Sequence, residues 1–253
     1  MSAAPRTLSL DCGGSGIKGC VLDETGSMLC APVRVPTPYP LPPQRFVAVL
    51  REVADGLPSA DRITVGLPGM IRHGRVVTTP HYVTRRGPRS AVDPDLATAW
   101  SGFDARAALH VAFDRPVLVL NDAEVHGAGA ISGEGLELVL TLGTGLGCAL
   151  FDSGRLAPHL EMSQAPVRGG IPFDLYVGDR ERRRLGNALW SRRVRRMLEL
   201  LRPVFLWDRL HLGGGNAVHL TTAQMGRLGD DIRIVPNEIA LVGGARAWSL
   251  EMG

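Results

Sequence analysis

The chain repeats itself. Leu8 to Gly26 reads LSLDCGGSGIKGCVLDETG, and Leu138 to Gly154 reads LVLTLGTGLGCALFDSG, with two fewer residues in the glycine loop. Each copy sets a short apolar strand before a glycine-rich turn. A second aliphatic strand follows, closed by a polar turn at Glu24-Thr25-Gly26 or Asp152-Ser153-Gly154. Both are β-hairpins of one design. Two copies about half a chain apart predict two halves of related topology, each opening on a glycine-rich hairpin.

Hydrophobic periodicity fills the space between and after them. It predicts helices over 44–55, 103–113 and 123–131 and strands over 62–67 and 117–120. The segment 85–94, RRGPRSAVDP, reads as a surface loop. After the second hairpin, Leu185, Leu189, Val194, Met197, Leu198 and Leu201 recur at helical spacing, with Arg192, Arg195 and Arg196 off that stripe. A strand over 209–212 runs into Gly213-Gly214-Gly215. A closing helix is expected over 237–250, with Gly243-Gly244 permitting close packing.

The 253 residues suit one large domain or two small ones, and 45% hydrophobic with 21% charged residues fits a globular chain. Net charge is only +3, and Lys18 is the only lysine. Residues 1–6 have no apolar segment of the kind a secretory signal needs. The uncharged stretch 138–151 is too short for a membrane helix and is interrupted by three glycines. A cytoplasmic location follows as the expectation. Cys12, Cys20, Cys30 and Cys148 show no paired spacing and read as reduced, mostly buried residues.

Gly14-Ser15-Gly16-Ile17-Lys18-Gly19 matches the letters of a dinucleotide-binding fingerprint, but that motif needs a helix directly after its glycines, and 17–22 continues as a strand. A tight hairpin needing glycines only for positive φ explains one such loop. Two loops, the first preceded by Asp11 and the second carrying Thr144, favour a turn whose N–H groups face an anion. Asn121-Asp122 falls where a strand gives way to a helix. Both residue types favour a helix N-cap, and the same spot in an α/β sheet opens toward ligand.

In combination, Asp11-Cys12-Gly13-Gly14-Ser15-Gly16-Ile17-Lys18-Gly19, Gly66-Leu67-Pro68-Gly69, Asn121-Asp122-Ala123, Leu140-Thr141-Leu142-Gly143-Thr144-Gly145 and His211-Leu212-Gly213-Gly214-Gly215 resemble the ROK-family sugar kinases. The first loop is most similar to the polyphosphate-dependent glucokinase branch. The resemblance implies an actin-like, hexokinase-type (ribonuclease H-like) fold with two α/β domains around a cleft. They would comprise 1–119, completed by 237–253, and a larger domain over 120–236.

It implies a magnesium-dependent kinase that transfers a terminal phosphoryl group from ATP or polyphosphate to a glucose-like hexose. By the resemblance, Asp122 is the general base and Asn121 a sugar contact, with Pro68 and Gly69 beside them. Asp11 orients Mg²⁺ through water. Gly14, Ser15, Gly16 and Lys18 face phosphate from one domain, and Gly143, Thr144 and Gly145 from the other, with Gly213, Gly214 and Gly215 bordering the nucleotide or the distal polyphosphate. Those three glycines equally suit a bare strand-to-helix turn.

The family's sugar signature departs here to Glu161-Met162-Ser163-Gln164, with Gln164 for histidine and Pro166 where a further acid is expected; His81 stands where an asparagine is usual. Glu161 and Gln164 remain as sugar contacts. The departure leaves two alternatives: a sugar-binding sensor of the same fold, or a kinase for another hexose or an amino sugar. The family's zinc cysteines are missing, so no zinc is expected, and no DNA-binding segment fits before Thr7. A homodimer follows family habit, with no nucleic acid or membrane partner. Arg180 to Arg196 reads either as a polyphosphate track or as a solvated helix face interleaved with Asp179 and Glu181.

Overall fold

A computed structural model describes residues 4–236 and 238–251. The chain divides into two compact units, Met1–Gly129 with Glu238–Gly253, and Ala130–Asn237.

In the first unit, β1 (Thr7–Cys12) and β2 (Ile17–Leu22) form the expected hairpin, and β3 (Val33–Val35) adds an antiparallel edge. Helix α1 (Pro43–Asp55) starts on a proline and buries Phe46, Val49, Leu50 and Val53, the one-sided spacing of an amphipathic helix. Strand β4 (Arg62–Leu67) lies parallel to β1. A small hairpin, β5 (Met70–Arg72) with β6 (Arg75–Thr78), escaped the sequence reading because its strands are too short to show a period.

Helix α2 (Pro94–Trp100) was likewise unforeseen. Asp93 caps it through Asp95 and Leu96 N–H, so Pro94 opens a helix rather than ending a loop. Helix α3 (Ala105–Phe113) leads to β7 (Val117–Asn121), parallel to β4, and then to α4 (Asp122–Ala130). The sheet order is β3-β2-β1-β4-β7. One core joins it to Phe46, Tyr82 and Trp100, whose rings lie 5.3 to 5.7 Å apart.

The second unit repeats the plan. Strands β8 (Leu136–Leu142), β9 (Leu146–Asp152) and β10 (Arg155–Leu156) are antiparallel neighbours. A two-stranded ribbon, β11 (Pro166–Arg168) with β12 (Ile171–Pro172), precedes α5 (Phe173–Val177) and the long α6 (Asp179–Phe205). Strand β13 (Arg209–Gly213), helix α7 (Thr222–Met225) and strand β14 (Ile232–Ile234) follow, giving the sheet order β10-β9-β8-β13-β14. In both sheets a hairpin-led antiparallel ribbon meets two strands parallel to its first strand.

The structure corrects several expectations. The glycine loops differ by one residue, not two, because Cys12 pairs with Ile17 across four residues and Leu142 with Leu146 across three. The rest of the difference lies in the second turn, where Ser153 and Gly154 both take positive φ and reverse the chain tightly. In α6, Gly186 (φ 74°, ψ 161°) breaks the helix, so Leu185 and Leu189 do not share the buried stripe. Leu189 is half exposed, and Trp190, Val194, Met197, Leu198 and Leu201 form the stripe instead. Cys20 and Cys30, distant in sequence, bring their sulfurs within 3.8 Å as free thiols.

The unit boundary falls after Gly129, beyond the expected break at 119, and the first unit is the larger. Strand β7 completes the first sheet, and α4 packs on the closing helix, Ile239–Glu251. Asn237, the expected start of that helix, lies outside the described residues. The glycine pair works there as the sequence indicated. A methyl on Gly243 would collide with the Val125 carbonyl of α4, and one on Gly244 with the Ser9 hydroxyl of β1. Gly243→Ala is therefore expected to destabilise the protein by about 1 to 3 kcal/mol, the usual range for overpacking, as read by urea unfolding. Wild-type stability in that variant would show the contact to be relaxed.

Candidate functional site

The carboxyl ends of β1, β4 and β7 bring together most of the sequence-predicted residues of the first unit. Asp11 pairs in register with Gly66, and Gly66 with Leu120. Asp122 follows one residue past the end of β7, and its Cα would lie 3.3 Å from a methyl built on Gly66. The two residues thus flank Gly66 of β4, the strand between β1 and β7. Fully buried Cys12 and Tyr82 both feel the charges of Asp11 and Asp122. Burial pushes both groups well above their ordinary values, with those charges next for Cys12 and behind Cys12 and Tyr39 for Tyr82.

The turn at Asn121 is a capping box. Asn121 Oδ1 accepts from Ala123 N–H at 2.8 Å, and Glu124 Oε2 reaches back to Asn121 N–H at 2.9 Å. Asn121 Nδ2 also donates to the Gly69 carbonyl at 2.8 Å, so this buried amide ties β7 to the Pro68-Gly69 turn and keeps one N–H to spare. Gly69 has φ 108°, and a methyl there would strike Thr78 O. Asp122 Oδ1 accepts from Ala123 N–H at 3.0 Å. The capping and ligand-facing readings of Asn121-Asp122 are thus compatible in one turn.

The loop after β1 closes through Gly13 N–H to Gly16 O at 2.9 Å. Its carbonyls are tied back by hydroxyls that the sequence did not single out. Thr37 Oγ1 donates to Gly13 O at 2.7 Å, Tyr82 Oη to the same oxygen at 3.5 Å, and Tyr39 Oη to Gly14 O at 2.8 Å. In a trans peptide C=O and N–H point in opposite directions. Holding the Gly13 and Gly14 carbonyls against these hydroxyls therefore turns the Gly14 and Ser15 N–H groups the other way. Among the described residues nothing accepts from the N–H of Gly14, Ser15 or Gly16.

Burial pushes Tyr39 up to about 12, so its phenol stays a donor. His81 and Pro88 close over Gly14, which puts the loop that follows β6 against the glycine turn. Lys18 Nζ lies 3.5 Å from Asp11 Oδ2. Burial holds the Asp11 carboxyl above its ordinary value, and Lys18 offsets only part of that rise. A single, partly exposed carboxylate beside free N–H groups fits a magnesium ion that arrives with phosphates and keeps its waters. Among the described residues no group of three His, Cys, Asp or Glu side chains is gathered to hold a metal.

In the second unit the Gly143-Thr144-Gly145 loop is held the same way. Its Gly143 carbonyl accepts from Asn216 Nδ2 at 2.8 Å and Asp179 N–H at 3.1 Å, which turns the Thr144 N–H away from both. Gly145 has no room for a side chain because Asp174 occupies the place while accepting from Leu146 N–H at 3.0 Å. Gly213, Gly214 and Gly215 lie beside this loop. Gly214 (φ 86°) is pressed against Leu142, a packing reason for glycine, whereas nothing lies within 4 Å of a methyl built on Gly215.

Glu161 and Gln164 lie around the short turn Met162–Gln164. Gln164 is exposed and donates to Ser163 Oγ at 3.0 Å, and Ser163 donates to Glu161 Oε1 at 2.6 Å. The histidine missing at Gln164 has a neighbour that sequence reasoning passed over: His159, buried, with Nε2 3.7 Å from Glu161 Oε2. The signal was the His-x-Glu spacing, since alternate residues of an extended segment face the same way.

Two sheets of matching topology, each led by a glycine hairpin, define a mixed α/β fold of the actin-like, hexokinase type. An inorganic polyphosphate/ATP-glucomannokinase from Arthrobacter sp. strain KM has a structure similar to this one (TM-score 0.78, 27% identity, 99% of each chain covered). So does a ROK glucokinase from Streptomyces griseus in complex with glucose and AMPPNP (TM-score 0.73, 18% identity, 98% of this chain and 100% of that one). The chain belongs to the ROK family, whose model matches residues 7–158. It is also 29% identical to a polyphosphate glucokinase of Mycobacterium tuberculosis (strain CDC 1551 / Oshkosh), over 94% of this chain and 89% of that protein. No helix among the described residues is long and apolar enough to cross a membrane.

Burial by itself would raise the Glu161 carboxyl, but the hydrogen bonds and charge of His159 and Ser163 outweigh it and hold it below its ordinary range. A lowered folded-state pKa stabilises the fold above the unfolded value of about 4.3, and that contribution is lost as pH falls through the folded value. Glu161→Gln is expected to lose less stability than wild type between about pH 6 and about pH 3. Equal losses, measured by thermal unfolding across that window, would count against a charged Glu161.

Proposed function

We propose that this chain is a sugar kinase that transfers the terminal phosphoryl group of polyphosphate or ATP to a hydroxyl of glucose or a similar hexose. The observation that carries the reading is the pair Asp11 and Asp122 flanking Gly66, beside a glycine loop whose N–H groups point outward. Membership of the ROK family and the likeness to enzymes named polyphosphate glucokinase and polyphosphate/ATP-glucomannokinase support the same reaction.

Phosphoryl transfer needs little covalent help from a protein; it needs the donor held, its charge balanced and the acceptor's proton removed. Asp122, at the start of the helix that follows β7 and with Oδ1 on Ala123 N–H, is the base that takes the sugar hydroxyl proton. Asn121 fixes the turn that carries it and offers its remaining N–H to the sugar, next to Pro68 and Gly69. The N–H groups of Gly14, Ser15 and Gly16 and the Lys18 ammonium receive donor phosphate in the first unit. Gly143, Thr144 and Gly145 do so in the second, with Gly213, Gly214 and Gly215 bordering the distal part of the donor.

Asp11 would hold magnesium through water, and the ion would supply charge neutralisation on the phosphates. Glu161, braced by Ser163 and His159, and Gln164 hydrogen-bond sugar hydroxyls. The proposal includes a cytoplasmic homodimer, on the strength of the family resemblance. The arginines of α6 count less toward a polyphosphate track than their number implies. Arg182 and Arg183 are paired with Asp179, Arg184 and Arg193 with Glu181, and Arg195 and Arg196 with Glu199.

Sugar phosphate formed from a panel of hexoses and amino sugars, with ATP and polyphosphate in parallel, tests the reaction. Formation of a hexose phosphate with at least one donor is expected. Sugar-dependent thermal stabilisation with no product from either donor would replace the kinase by a sensor. Asp122→Asn is expected to lower turnover by roughly 10² to 10⁴ with sugar binding largely retained. Unchanged turnover would remove Asp122 from the base role.

A further inference from the structure

Across the first three strands, one register row carries three charges. Asp11 on β1 faces Lys18 on β2, and Lys18 faces Arg34 on the edge strand β3. Directly opposed residues of neighbouring strands project on the same side of the sheet, and like charges so placed destabilise the pair. Asp11 offsets Lys18 at 3.5 Å, but no described carboxylate pairs with Arg34. An exposed, unpaired arginine opposite the chain's only lysine has a cost that packing does not explain.

The guanidinium is nevertheless held in a definite place. A methyl built on Gly16 would stand 3.0 Å from Arg34 Nε and 3.3 Å from Nη2, so the side chain lies over the last residue of the glycine loop. Beside it, the loop carbonyls are drawn back by Thr37, Tyr39 and Tyr82, and the N–H groups of Gly14, Ser15 and Gly16 meet no protein acceptor. Outward N–H groups, an ammonium and an unpaired guanidinium thus belong to one loop and the strands beside it, with the single carboxylate of Asp11 in the same register row.

We infer that Arg34 is a phosphate-binding residue of this loop, its planar fork gripping a non-transferred phosphate of a linear phosphate chain while the loop N–H groups hold the neighbouring one. The inference rests on the kinase reading for its physiological donor, though not for the anion site itself. Arginine suits the task because its fork matches two phosphate oxygens at once, where lysine offers only a point charge. The edge position of β3 leaves the guanidinium open on its solvent side.

Inorganic tripolyphosphate is the probe, with binding to the full-length protein measured by calorimetry independently of turnover. Arg34→Gln is expected to weaken it about 10- to 100-fold and Arg34→Lys to restore part of that loss, with melting temperature lowered by neither substitution and raised by Arg34→Gln, which removes the like-charge pair. Raising salt should weaken wild-type binding more steeply than binding to Arg34→Gln, because one screened contact has gone. In turnover assays KM for the donor should rise by a similar factor while KM for the sugar stays put. Equal tripolyphosphate affinity in wild type and Arg34→Gln would overturn the inference. So would a change in sugar KM alone. Tripolyphosphate binding that depends on Arg34 in a protein that phosphorylates no sugar would instead retain the anion site and remove the kinase reading.

Discussion

The planarity of two peptide bonds governs much of the first unit's candidate site. With the Gly13 and Gly14 carbonyls committed to Thr37, Tyr82 and Tyr39, the N–H groups of Gly14 and Ser15 have one direction left to point. The rest of the unit serves that orientation. Tyr82 is fixed by the aromatic cluster with Phe46 and Trp100, and Trp100 is fixed in turn by its indole N–H on the Leu41 carbonyl at 2.8 Å. Core packing and loop chemistry are thus one structure: loosening the cluster would free the phenol and, through it, the amides.

The second unit reaches the same result with different groups. Asn216 and the Asp179 N–H hold the Gly143 carbonyl, and Asp174 braces Leu146 across a glycine that leaves room for nothing larger. The topology is repeated while the fastenings are not. What recurs in the two halves is the need to turn amides outward, and hydroxyls or an amide side chain meet it equally well because each needs only to donate to a carbonyl.

The charges beside the first unit's glycine loop are left unbalanced within the protein. Lys18 and Arg34 face each other with Asp11 alone against them, and Asp11 is itself drawn between burial and Lys18. In the second unit six of the arginines of α6 are engaged two to an acid by Asp179, Glu181 and Glu199. Number of basic residues is therefore a poor guide to anion affinity, and pairing is a better one.

Local rules carried far in this chain. Alternation and turn residues marked both hairpins, helical spacing marked α1, α3 and the buried end of α6, and the Gly243-Gly244 pair announced a close contact that Val125 and Ser9 supply. Asp11, Asn121 and Asp122 were legible because they sit at strand ends, where period-two patterns stop. The short hairpin of β5 and β6 was not, since three or four residues cannot display a period. Tyr39, Tyr82, Asn216, Asp174, His159 and Arg34 carried no mark of their roles, because a hydroxyl, amide or guanidinium acts through a partner brought close by folding. The sequence by itself determined the repeated hairpins and the residue types in their loops, for those follow from neighbours along the chain. Only the tertiary structure decided which way the loop amides point, because the groups that pull back their carbonyls come from elsewhere in the chain.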